Sequence, residues 1–111
     1  MDIKFYRTVS GRFPVIEFVD SLSKEAQAQF ADAVELLENG KTIGMPLSRP
    51  LTNIHRGLHE LRLKDRGGIY RVFYYLKVRD AIYMLHSFQK KSQQLPQREI
   101  RLIVNRIKEV S

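Results

Sequence analysis

Three strand-length runs, Leu58 to Lys64, Ile69 to Lys77 and Ala81 to Phe88, dominate the second half of the chain and limit what it can fold into. They are rich in aromatic, β-branched and large apolar residues, and the turn-forming clusters Asp65-Arg66-Gly67-Gly68 and Lys77-Val78-Arg79-Asp80 separate them. That spacing predicts a three-stranded meander. The runs are nearly continuous in apolar character rather than alternating, which predicts that both faces of the sheet are at least partly covered.

The cover has to come from the flanking segments. Ile3 to Arg7 reads as a short strand, and Gly11-Arg12 turns the chain into Phe13-Pro14, where proline suits a first helical turn. Val15, Phe18, Val19 and Leu22 then recur at three- and four-residue steps. Ser23 is placed to cap a second helix, whose Ala26, Phe30, Ala33, Leu36 and Leu37 keep the helical period until Asn39-Gly40 ends it. Gly44, Pro46 and Pro50 predict an irregular connection that contains Arg49 and Arg56. Pro96 opens a third helix with Ile100, Ile103, Val104 and Ile107 on one side and Arg98, Arg101, Arg106 and Lys108 on others. The predicted order is β-α-α-β-β-β-α over 1–111 as a single domain. This is an α+β fold, with a small mainly antiparallel sheet, an N-terminal helix hairpin on one face and a C-terminal helix able to cover the other.

Charge is divided unevenly. Met1 to Met45 carries 5 basic and 7 acidic residues, whereas Pro46 to Ser111 carries 14 basic and 5 acidic, so the positive field belongs to the second half. Such a field attracts a polyanion, nucleic acid above all, although an acidic protein would use it equally well and a solvated basic face is the ordinary alternative. The chain has no cysteine, which removes disulfides, thiolate metal sites and thiol nucleophiles. His55, His59 and His86 lack metal-ligand spacing, and no metal or other cofactor is expected. No window approaches the ~20 apolar residues of a membrane span and the N-terminal segment lacks a leader's apolar core, so a soluble cytoplasmic protein is expected.

Within the meander, Arg62 and Arg71 stand where a strand would prefer another residue. A single arginine of this kind commonly lies over apolar neighbours as part of the surface. Should both point to one face of neighbouring strands, two guanidinium forks come within reach of one phosphate. Lys64 shares the Arg62 side of the pleat, while His86, Phe88 and Lys90 share a face on the last strand. His86 stands amid Met84, Leu85 and Phe88, where a hydrogen-bonded half-buried histidine is commoner than a catalyst. Tyr70, Tyr74, Tyr75 and Tyr83 occupy both parities, so at most one or two can present a base-stacking platform. Glu60, Asp65 and Asp80 do not form the grouped carboxylates of a two-metal nuclease, and no Gly-rich phosphate loop is present. RNA cleavage without metal remains open, since RNA's own 2′-hydroxyl can attack while Lys64, Lys90 or His86 moves protons and arginines stabilise the crowded phosphate. The reading requires these cations to converge on one point without being tied up by carboxylates.

The segments GLHELRLKDRGGIYRVFYY, from Gly57 to Tyr75, and YMLHSFQKKSQQLPQREI, from Tyr83 to Ile100, resemble the phage-associated HigB-like branch of the RelE superfamily. With the N-terminal helix pair the resemblance spans almost the whole chain. It implies a RelE-like fold and a toxin of a type II toxin–antitoxin module, which cleaves mRNA on the ribosome and is silenced by a cognate antitoxin, in this branch often a helix-turn-helix, HigA-like repressor. It further implies that Arg62 and Arg71 clamp the phosphate, that Lys64 and Lys90 approach the substrate, and that His86 takes part in proton transfer. Arg66, Lys91, Arg56 and Tyr74 are the expected RNA-binding residues. Some relatives use a tyrosine near the C-terminus, and none stands between Asn105 and Ser111. Two other functions fit such a fold: a non-catalytic inhibitor resembling gyrase poisons, and a domesticated antitoxin-binding module.

Overall fold

A computed structural model describes residues 1–77, 81–89 and 93–111. Its elements are β1 (Asp2–Phe5), α1 (Pro14–Asp20), α2 (Lys24–Glu38), β2 (Ser48–Pro50), β3 (Leu58–Asp65), β4 (Gly68–Lys77), β5 (Ala81–Gln89) and α3 (Gln97–Val110). One sheet takes the order β1-β5-β4-β3-β2, with β1 parallel to β5 and every other neighbour antiparallel. The expected α+β architecture and its central meander are present. The sheet gains a strand that the prolines concealed, because β2 pairs Ser48, Arg49 and Pro50 with Leu61, Glu60 and His59 at the outer edge. Pro50 is the last residue of that short edge strand, where a missing donor is tolerated.

The helix ends follow the local chemistry. Ser23 Oγ accepts the Ala26 N–H at 3.1 Å to start α2, and Gly40, with φ 74°, lies just past its end. In the β3–β4 hairpin Asp65 pairs with Gly68, leaving Arg66-Gly67 as a two-residue connection. Gly57, with φ 86°, precedes β3, and a Cβ there would lie 2.9 Å from the Leu76 carbonyl oxygen. A side chain at that position is opposed by both conformation and space.

The sheet has two cores. On one face Val15, Val19, Phe30 and Leu37 of the helix pair pack against Leu61, Leu63, Val72, Tyr74, Ile82 and Met84. On the other, Ile103 and Ile107 of α3 pack against Leu58, Phe73 and Leu85. A fully buried side chain of this size contributes about 1.5–3 kcal/mol, so even the small α3 core anchors that helix. A bulge between Phe73 and Tyr74 shifts the β5 register, Phe73 facing His86 and Tyr74 facing Met84. The extra residue lets both Leu85 and His86 meet the α3 side while Met84 joins the opposite core. No helix among the described residues is long and apolar enough to cross a membrane.

Candidate nucleic-acid interface

The pleat places alternate residues of β3 on the α3 face, and they grade from apolar to charged: Leu58, Glu60, Arg62, Lys64. Leu58 is fully buried in the α3 core, whereas Lys64 is exposed. The two-residue hairpin fixes Arg62 directly opposite Arg71 on β4, so the two arginines share this face. Two adjacent guanidiniums repel, and the carboxylate two residues before Arg62 answers that repulsion.

Glu60 is a hub. Its Oε1 lies 3.2 Å from Arg62 Nε and 3.3 Å from Arg49 Nε, and its Oε2 lies 3.1 Å from Arg71 Nε. Both Glu60 and Arg71 are 1% exposed, while the side chains of Arg62 and Arg49 are 27% and 41% exposed. Three guanidiniums thus surround one carboxylate, and the cluster keeps an excess of positive charge. The closest approach is through Nε in each pair. Burial holds the Arg71 guanidinium below the usual arginine range; Glu60 opposes the shift, and Arg62 and Arg49 reinforce it. Arginine nevertheless stays a cation. Arg71 Nη2 also donates to the Gln93 carbonyl at 3.3 Å, so the segment leading into α3 passes over it.

Beside the hub opens a cleft of about 480 Å³, lined by Arg49 and Glu60, by Leu51 and Ile54, and by residues before and at the start of α3, including Gln97 and Ile100. The cleft has the size of a small-molecule or nucleotide site.

The expected site residues separate into groups. Arg62 and Arg71 share one face of neighbouring strands, but the requirement that they stay clear of carboxylates is not met, because Glu60 pairs with both. Lys64 continues the same face outward, and its backbone is tied to Gln29: the Lys64 N–H donates to Gln29 Oε1 at 2.9 Å and Gln29 Nε2 donates to the Lys64 carbonyl at 2.7 Å. Arg66 is exposed in the hairpin connection. Lys90 and Lys91 lie outside the described residues. Arg56 is exposed in the turn before β3, and the ion pairs to Glu60 come from Arg49, Arg62 and Arg71. Tyr74 is corrected: its parity opposes that of Arg71, it is 1% exposed in the helix-pair core, and its hydroxyl lies 2.7 Å from Ser48 Oγ. His59 stacks on its ring. Such a side chain cannot be an RNA platform.

His86 sits under α3. Its Nε2 lies 3.0 Å from Glu99 Oε2, and Arg106 Nη1 approaches its Nδ1 at 3.4 Å while donating to the Leu85 carbonyl at 2.7 Å. Because arginine can only donate, Nδ1 accepts, and a neutral ring then carries its proton on Nε2 for Glu99. Burial pushes the His86 pKa below the usual histidine value, Glu99 opposes this, and Arg106 adds to it. The ring is packed among Phe73 and Phe88. Among the described residues no group of three or more His, Cys, Asp or Glu is placed to hold a metal ion.

Glu60 and Arg49 escaped the reading of the residues. The Glu60-x-Arg62 spacing on a strand was a usable signal, since it puts both side chains on one face. Arg49 gave none, because its proximity depends on the concealed edge strand.

Five mostly antiparallel strands with a helix pair on one face and a C-terminal helix on the other form a RelE-like fold. The chain belongs to the family described as Phage derived protein Gp49-like (DUF891), which matches residues 17–108. This is a RelE-like, toxin-like family. No individual curated protein matches the chain.

Proposed function

We propose that this protein is the toxin of a type II toxin–antitoxin pair and that it cleaves mRNA on the ribosome. The observation that carries the reading is the convergence of Arg49, Arg62 and Arg71 on Glu60 at the edge of an open cleft. A buried carboxylate ion-paired to three guanidiniums gathers them at one place before substrate arrives, and preorganised cations of this kind support stabilisation of a developing phosphorane charge. In the reaction the RNA 2′-oxygen attacks the adjacent phosphorus and the bond to the 5′-oxygen breaks, giving a 2′,3′-cyclic phosphate and a 5′-hydroxyl. The 2′-proton passes to a base and another proton reaches the leaving oxygen. Arg62 and Arg49 face the phosphate, and Arg71 acts from behind them through Glu60. Lys64, exposed on the same face, is the described residue best placed to move a proton. A cognate antitoxin, helix-turn-helix and HigA-like, would silence the toxin in the cytoplasm.

A second reading draws on His86, whose two ring nitrogens are engaged by Glu99 and Arg106. With that proton carrier withdrawn, the arginine cluster would serve a non-catalytic inhibitor. One experiment decides: induce the protein in cells, map new mRNA 5′ ends against the reading frame, and repeat with Arg62→Ala. Codon-phased ends that vanish in the variant support the nuclease. Growth arrest with intact mRNA supports the inhibitor.

A further inference from the structure

The cleft beside the arginine cluster has more chemistry than phosphate binding needs. Arg49 lines it, and Leu51, Ile54 and Ile100 supply apolar wall. Its exposed carboxamides are Asn53 from the turn after β2, Gln93 and Gln94 from the segment before α3, and Gln97 from the first residue of α3. A phosphate by itself uses neither an apolar wall nor a hydrogen-bond acceptor. A nucleotide uses all three: cation for phosphate, apolar surface for the base face, and paired donor and acceptor groups for the base edge. The volume of about 480 Å³ accommodates one such unit.

We infer that this cleft is a nucleobase subsite, in which Asn53 and Gln97 read the edge of one RNA base while Arg49 holds the phosphate attached to it. The inference rests on the proposed function for its substrate class, and it adds a means of sequence discrimination that the arginine cluster lacks. Carboxamides suit the task because each offers a donor and an acceptor at fixed spacing, so one base edge satisfies both and another leaves a group unmatched.

The test uses the purified full chain, the four 5′-mononucleotides and ribose 5-phosphate, with binding followed by NMR shift changes. One mononucleotide is expected to bind at least about tenfold more tightly than ribose 5-phosphate, the difference that one well-matched edge contact provides. In the Asn53→Ala/Gln97→Ala double variant that advantage is expected to disappear, and Arg49→Ala is expected to weaken mononucleotide and sugar phosphate alike. Asn53 and Gln97 are exposed, so the spectra of the variant report directly that it is folded. Equal binding of all five ligands, or a preference that survives the double substitution, overturns the inference. Because the assay involves neither ribosome nor cleavage, its failure is separate from failure of the nuclease reading. Arg62-dependent cleavage without a base-selective cleft would leave that reading standing, and a selective cleft without cleavage would leave the subsite standing.

Discussion

Arg71 and Glu60 form an ion pair at 3.1 Å in which each residue is 1% exposed. Removing one partner strands the other charge in a site that water barely reaches, and for buried pairs this costs about 3–5 kcal/mol. Glu60→Ala is therefore expected to lower stability by about that amount, read from urea unfolding midpoints. Glu60→Leu combined with Arg71→Met removes both charges and is expected to recover most of the loss without restoring growth arrest. Were the double variant as unstable as Glu60→Ala, the pair's stranded charge would not be the cause.

Arg49 is the most exposed of the three guanidiniums around Glu60. Its loss leaves Glu60 still paired with Arg62 and Arg71, so Arg49→Ala is expected to cost less stability than Glu60→Ala. Its effect should fall on polyanion binding. For single-stranded RNA, taking away one cation that neutralises a phosphate makes the slope of log affinity against log salt shallower by about 0.7. A titration of single-stranded RNA at several salt concentrations checks this, and an unchanged slope would remove Arg49 from the interface.

Much of this arrangement was readable before any coordinates. The strand runs, the Ser23 cap and the Asn39-Gly40 stop are local signals that appear where the residues put them, whereas of the helical stripes Leu22 falls beyond the end of α1 and Leu36 is exposed. Even the pairing of Arg62 with Arg71 follows once Arg66-Gly67 is taken as a two-residue connection, since the register then runs outward from Asp65 and Gly68. What stayed hidden is non-local. A three-residue edge strand ending in Pro50 has too little pattern to announce itself, and with it went the approach of Arg49 to Glu60. The bulge opposite Phe73 likewise depends on how two strands fit together, and it decides that Leu85 and His86 both meet α3.

Tyr74 shows how parity separates two uses of a tyrosine. Its hydroxyl and that of Ser48, both 1% exposed, satisfy each other at 2.7 Å. Tyr74→Phe leaves the Ser48 hydroxyl buried without that partner, an expected loss of about 1–3 kcal/mol in thermal or urea unfolding. Arrest in cells should persist in the variant under conditions where it remains folded, because the ring lies on the face opposite Arg62. Loss of arrest with unchanged stability would return Tyr74 to the interface.

The His86 side chain gives stability a pH dependence whose sign is fixed. Burial first, and Arg106 after it, hold the folded-state pKa below the ordinary 6.5, against the pull of Glu99. The unfolded chain therefore binds a proton at His86 at a pH where the folded chain does not, and stability falls with falling pH wherever the unfolded state holds more protons. His86 contributes its full stabilisation above 6.5 and loses it as pH drops from there through the lowered folded value. A proton on Nδ1 would also face the donating Arg106 Nη1, 3.4 Å away, so the charged ring sets α3 against β5. Urea midpoints at about pH 7.5 and about pH 5.5 should differ in the natural protein and differ less in His86→Gln, which keeps a donor for Glu99 but cannot titrate in this range. If the two proteins lose stability equally over that interval, the decline belongs to other groups, and the His86 ring does not couple α3 to acid.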